Sequence, residues 1–227
     1  KTDNIGTSGN NQFTIPTVSG NSYNVTTSDG QTLNNNTDDL TITFPIEGTY
    51  DVNISGDFRQ ILFNNSGDKS KLLDVKNWGN IAWTSFENAF YGCNNFIIYS
   101  ATDYPDLSGV ISLKYSFARS SFNGDINLWD VSNVIDFFAM CFITPSFNQD
   151  LSSWDVSGAN QMRFMFNGAA SFNQDLSSWD ISNISSLANF LSGSTLSTAN
   201  YDATLIGWAN QIPLAYNGTL DFGNSTY

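Results

Sequence analysis

The sequence predicts an α/β repeat solenoid, leading with a β-rich N-terminal cap, and three observations carry that expectation. The words SFNGDINLWDVS at 121–132, SFNQDLSSWDVS at 146–157 and SFNQDLSSWDIS at 171–182 return at a step of 25 residues. A fixed period of this size marks stacked supersecondary units, none of which can bury its apolar face without a neighbour. Each repeat also divides into an alternating half and a half with helical spacing. Before about Ser66 there is no such repeat, only short alternating stretches.

Those stretches are 13–18, 22–27, 40–44, 49–55 and 60–63. Gly, Asn and Asp clusters such as 28–30 and 34–36 separate them, which predicts antiparallel strands with hairpin turns. Residues 1–66 are therefore assigned as a cap that closes the apolar end of the first coil. Residues 67–195 are assigned as about five coils. In 176–182 Trp179 and Ile181 alternate with Ser178, Asp180 and Ser182, the pattern of a strand with one wet face. The spacing of Ala159, Met162, Met165, Phe166 and Ala169 predicts a short helix with one buried stripe. Asn123, Asn148 and Asn173 mark the bend between the two halves. Residues 196–227 are assigned as a C-terminal cap, with a helix over 202–211 and a last strand over 220–224. The chain starts at Lys1 and stops at Tyr227 inside a strand-like run, so both ends read as trimmed, with any export signal or anchor beyond them.

Charge narrows the partners. Eight Lys and Arg stand against twenty-one Asp and Glu, a net charge of −13, which argues against nucleic acid held by phosphate neutralisation. There is no histidine, so the commonest general base and metal ligand is missing. Cys93 and Cys141 lie two repeats apart, about 10 Å at the strand spacing, too far for a disulfide; both read as buried apolar side chains. No apolar run is long enough to span a bilayer.

The most regular polar feature is the column Asp106, Asp130, Asp155 and Asp180, flanked by Ser108, Ser132, Ser157 and Ser182, with Ser153 and Ser178 on the same outward face. Carboxylates about 4.8 Å apart repel by about 0.9 kcal/mol with water-like screening and about 3.5 kcal/mol at an effective dielectric of 20. Three readings stand for what offsets this: hydrogen bonds from backbone and Ser groups of the adjoining turn, holding the coils in register; a cation, Ca²⁺ before others; or a solvated acidic face that attracts a basic partner. A second column, Asp125, Asp150 and Asp175, reads as turn capping. Trp129, Trp154 and Trp179 sit in core slots. No catalytic residues are assigned, because repeated equivalent aspartates signal register whereas an active site makes one position unlike the rest.

The pattern LxxLxL at 176–181 fits a leucine-rich repeat with Trp in one leucine slot. The repeated FNQDLSSWDVS word, the stretch 78–83 followed by Asn88-Ala89-Phe90-Tyr91-Gly92-Cys93, and the sequence 196–208 together resemble the bacterial BspA-type leucine-rich-repeat surface proteins, in the subfamily first noted in mycoplasma lipoproteins. The resemblance implies a secreted or surface-attached adhesion module that meets a protein or glycan on a host, a neighbouring cell or a surface. It brings no catalytic residues, no cofactor and no fixed ligand motif. Two functions follow. One is binding through the outward face at Asp106, Ser108, Asp130, Ser132, Ser153, Asp155, Ser157, Ser178, Asp180 and Ser182. The other is a structural spacer in a long surface protein, against which a single non-repeating cavity or an off-register cluster of exposed aromatics would count.

Overall fold

The computed structural model describes residues 1–209 together with Gln211 and Phe222. Five strands lie near the N-terminus: β1 (Gln12–Ile15), β2 (Ser22–Thr27), β3 (Thr32–Asn36), β4 (Leu40–Thr43) and β5 (Val52–Asp57). They form two small antiparallel sheets, β1–β4 and β3–β2–β5. The apolar side chains Tyr23, Val25 and Ile42 point into the core. Strand β3 falls partly on the Asn cluster expected to be a turn; Asn36 holds its place by donating to the carbonyls of Tyr23 and Leu33. The stretch 60–63 is no strand, and only Ile61 pairs, with Thr17.

A short 3-10 turn, Lys69–Lys71, closes this region over a buried ion pair. The Asp68 carboxylate accepts the N–H groups of Thr7, Ser8 and Thr14 at 2.7 to 3.0 Å and the Ser8 hydroxyl at 2.5 Å. Lys71 Nζ donates to the Ser8, Gly9 and Gln12 carbonyls at 2.9 to 3.2 Å and lies 3.8 Å from Asp68. Burial drives the Asp68 carboxyl up, but the Ser8 and Thr14 hydrogen bonds and Lys71 outweigh it and hold it below the usual range. Gly6 is required here, because a Cβ would stand 2.3 Å from Asp68 Oδ1.

The repeats overturn the predicted fold class. Among the described residues the one α-helix is α1 (Thr198–Trp208), after the last repeat, and no strand or α-helix lies between residues 72 and 197. The expected α/β solenoid with a strand and a short helix per coil is absent, and the leucine-rich-repeat designation falls with it. Both halves of each repeat are chains of turns instead.

The segment expected to be helical carries two columns of left-handed residues four positions apart. Asn88, Tyr115, Ala139, Phe164 and Asn189 form one, with φ 53 to 60°; Gly92, Arg119, Ile143, Gly168 and Gly193 form the other, with φ 51 to 80°. A right-handed helix cannot pass through such residues. The N–H of Tyr115, Phe117 and Arg119 goes to the carbonyls of Phe138, Met140 and Phe142 in the next repeat, at 2.7 to 3.0 Å. The N–H groups between them, on Ser116 and Ala118, close turns on Leu113 and Tyr115. The same alternation recurs at 137–143 and at 164–168.

In the other half, each Trp N–H closes a turn on the residue three back, as Trp154 does on Leu151 and Trp179 on Leu176. Asp, Asn and Ser side chains there bond their own backbone and so compete with a strand ladder.

Inside and outside nevertheless fall where the sequence puts them. Ala159, Met162, Met165, Phe166, Ala169, Trp179 and Ile181 are buried in one continuous core that runs from Ile15 to Phe222. Phe147 and Phe172 stack at 6.1 Å between ring centroids, as do Trp154 and Trp179 at 6.4 Å. Trp154, Trp179 and Trp208 donate their indole N–H to the carbonyls of Ile126, Leu151 and Leu176 at 2.9 to 3.0 Å. Trp208 thus continues the Trp column from a helix. Helix α1 begins four residues earlier than the expected 202–211, capped by Ser197, which accepts the Asn200 N–H. The last strand expected over 220–224 lies, Phe222 aside, outside the described residues. Cys93 and Cys141 are free and buried, and burial pushes both thiols up.

Candidate functional site

The ten outward residues singled out in the sequence all reach the surface, Ser157 half-buried and the rest exposed. They do not converge on a site. Each carboxylate is closed on its own turn: the N–H groups of Ser108, Ser132, Ser157 and Ser182 donate to Asp106, Asp130, Asp155 and Asp180 at 2.9 to 3.1 Å. The hydroxyls of Ser132 and Ser157 add bonds of 2.6 and 2.7 Å to the same oxygens. The serine hydrogen bonds hold the Asp106, Asp155 and Asp180 carboxyls below the usual range, against the opposing charge of Asp155 at Asp180. Asp125, Asp150 and Asp175 close turns on Asn127, Ser152 and Ser177 in the same way. Ser153 and Ser178 behave differently, reaching back one repeat to Asn127 and to the Ser152 carbonyl. Among the described residues no group of three or more His, Cys, Asp or Glu is placed to hold a metal ion.

In the three full repeats the side chains that bridge neighbours are asparagines, not the aspartate columns. Before them Asp103 accepts the Trp78 and Gly79 N–H groups, and Asp74 the Ser100 N–H and hydroxyl, across one repeat. The Asn123 side-chain carbonyl accepts the Asn148 N–H at 2.8 Å and Gln149 Nε2 at 3.0 Å; Asn148 does the same for Asn173 at 2.8 Å and Gln174 at 2.7 Å. Asn173 then receives the Ser197 N–H at 2.7 Å and Asn200 Nδ2 at 3.0 Å. The expected bend residues are thus a ladder of side-chain amides across repeats.

The ladder breaks at its first rung, and a cavity opens there. Gly124 stands where Gln149 and Gln174 stand later, and Ile97, Ile98 and Tyr99 replace the Asn-Gln-Asp run. The cavity, ≈ 270 Å³, is lined by Ile97, Ile98, Tyr99, Asn123, Asp125 and Gln149 over a floor of Phe96, Phe122 and Gly124. Ile97 is 71% exposed and Ile98 50%. A Cβ at Gly124 would meet Tyr99 Cγ at 2.5 Å, so glycine here is what admits the Tyr99 ring. Tyr99 is fixed by the Trp78 indole, which donates to its hydroxyl at 2.8 Å, and burial raises its phenol above the ordinary value. Asn123 Nδ2 and Gln149 Oε1 hydrogen-bond to nothing among the described residues and border the opening. The sequence carried one sign of this place, the Gly in SFNGD against the Gln in SFNQD.

A second irregular feature lies on the outer side of the turn ladder. Tyr91, Tyr115, Phe138 and Phe164 form a half-buried row with ring centroids 5.5, 5.4 and 5.7 Å apart, and Phe142 joins it beside Phe164. Lys114, Arg119 and Arg163 lie 5.9, 6.0 and 5.6 Å over the rings of Phe138, Phe142 and Phe164. Sequence reasoning missed this face, because its members come from different places in successive repeats.

Among known families, the model described as a Mycoplasma protein of unknown function, DUF285, matches residues 60–204. No curated protein and no solved structure matches the chain.

Proposed function

The chain belongs to the DUF285 family, and from that premise we propose that it is an extracellular binding module of a bacterial surface protein of the BspA type, contacting a protein or a glycan. The observation that supports this reading most is the cavity at the broken rung. A spacer needs only repeating turns, and the Asp–Ser turns and Asn ladder would serve one well. The chain departs from that regularity at the broken rung, where Ile97 and Ile98 stay exposed beside the amides of Asn123 and Gln149. A lining more polar than apolar, with amide and carboxylate groups beside aliphatic edges, suits a small polar epitope or a sugar. The Asp and Ser columns are then turn closures first, with their outer oxygens facing water.

Protein and glycan arrays probed with the wild type and with a Gln149→Ala, Ile97→Ala double variant test the reading. Specific hits that the double variant loses are the expected result. An array without hits for the wild type, together with surface attachment that survives deletion of the module, would leave the spacer as the better account. No helix among the described residues is long and apolar enough to cross a membrane.

A further inference from the structure

The cation-bearing face of the turn ladder differs from the rest of the surface in two independent ways. The first is charge. Of eight basic residues, Lys1, Arg59, Lys71 and Lys76 pair with Asp3, Asp57, Asp68 and Asp51, and Lys69 Nζ is held by the Asn65 backbone carbonyl. Lys114, Arg119 and Arg163 have no carboxylate within ion-pair distance among the described residues, although carboxylates outnumber them heavily. The Asp136 carboxylate, one repeat on from Lys114, accepts the Phe138 N–H. At physiological salt charges are screened beyond about 8 Å, so the local cations, not the net charge, decide what meets this face.

The second is backbone conformation. The left-handed columns take Asn or Gly at positions 88, 92, 168, 189 and 193, residues that suit positive φ. The middle repeats put Tyr115, Arg119, Ala139, Ile143 and Phe164 there instead. Each holds a conformation that costs about 1–3 kcal/mol; Tyr115, Arg119 and Phe164 belong to the ring-and-cation face, while Ala139 is buried and Ile143 stands outside the row.

We propose that this face binds glycans that carry carboxylate or sulfate groups, with Lys114, Arg119 and Arg163 taking the anions and the sugar rings lying along the aromatic row. The planar guanidinium of Arg, held over a ring, offers two parallel donors to a carboxylate or sulfate. The half-buried rings supply an apolar strip with one or more rings per repeat, and the Tyr hydroxyls add hydrogen-bonding tips. An acidic peptide is disfavoured because the ladder's alternate N–H groups are already bonded to the next repeat, which leaves no open edge for an added strand. Nucleic acid is disfavoured because three cations neutralise too few phosphates. This site is separate from the cavity at Tyr99, so the two succeed or fail independently.

Calorimetric titration at 50 mM salt with an oligouronate, a sulfated dextran, neutral dextran and polyglutamate tests the proposal. The charged glycans should bind, with neutral dextran and polyglutamate at least tenfold weaker; the stronger of the first two identifies the anion. Arg119→Gln with Arg163→Gln should weaken binding at least tenfold, the double Lys variant should recover part of it, and Lys76→Gln should change nothing. As a check on the wild type alone, bound glycan should shield Lys114 from an amine-acylating reagent and leave Lys76 reactive. Equal binding of neutral dextran, tighter binding of polyglutamate, no binding of either charged glycan, or an unshielded Lys114 would overturn it.

Discussion

The N-terminal region and the repeats hold their chains around a shared aromatic core by opposite means. Residues 1–71 are tied by one buried charge pair, in which Asp68 and Lys71 gather the backbone of residues 7–14. The repeats use no buried charge; neutral amides at Asn123, Asn148 and Asn173 pass the same two hydrogen bonds from one repeat to the next. A unique site concentrates its energy and its vulnerability, while a ladder spreads both. The difference teaches where single changes should matter.

The largest expected effect is at the pair. Lys71→Met leaves the Asp68 charge buried without its partner and should cost about 3–5 kcal/mol, read as a shift in the urea midpoint. The same carboxylate makes the N-terminal region acid-sensitive. Its folded pKa lies below the unfolded value, so its contribution is complete above about pH 3.9 and is lost as the pH falls through the lower folded value. The protection factors of the Thr7, Ser8 and Thr14 amides, followed from pH 5 to pH 2, should fall before those of Asn148 and Asn173. A simultaneous fall would erase the contrast between the two regions.

Removing one rung should cost less. Asn148→Ala strips an acceptor from the Asn173 N–H and from Gln174, half-buried groups that water can partly serve, for about 1–2 kcal/mol in a denaturant titration. A loss as large as that of Lys71→Met would mean the ladder is as centralised as the ion pair.

Smaller still, and of opposite sign, is Ile143→Gly. Ile143 is β-branched, 41% exposed and left-handed, with φ 52°. Relief of about 1–2 kcal/mol of strain less about 0.5–1 kcal/mol for the freedom of glycine should leave a gain of about 0–1.5 kcal/mol. A loss of melting temperature would show that its contact with Gly168 outweighs the strain. The smallest effect is expected from calcium: with each Asp closed on its own turn, millimolar Ca²⁺ should move the melting temperature no more than Mg²⁺ does. A Ca²⁺-specific rise of several degrees would return the Asp columns to metal binding.

Much of this was legible in the residues. The 25-residue period, the inward Trp, Phe and Met positions, the free buried cysteines and strand β2 at its full extent all read correctly. The local secondary structure of the repeats did not, for a definite reason. A left-handed residue at every fourth position produces burial at steps of three and four, the same spacing as an α-helix, and paired Asx turns bury alternate residues as a strand would. Periodicity reports which side chains face inward and is blind to the hydrogen bonds that put them there. Register keeping was one of three readings of the aspartate column, beside a cation and a solvated acidic face; the asparagines recur equally, and only their partners one repeat away distinguish the two columns.

For the candidate sites the balance tips the other way. Gly124 at a Gln position was visible as a departure, but the cavity beside it depends on Tyr99 from the preceding repeat. Lys114, Arg119 and Arg163 are scattered in the chain and meet Phe138, Phe142 and Phe164 only through the stacking of repeats. The sequence by itself determined the repeat length, the inward and outward faces and the Asp–Ser turns, because each depends on residues within a few positions of one another. Helix against turn ladder, which of the two repeated columns bridges neighbouring repeats, and which cations stay unpaired were settled by packing alone, because each depends on what lies one repeat away.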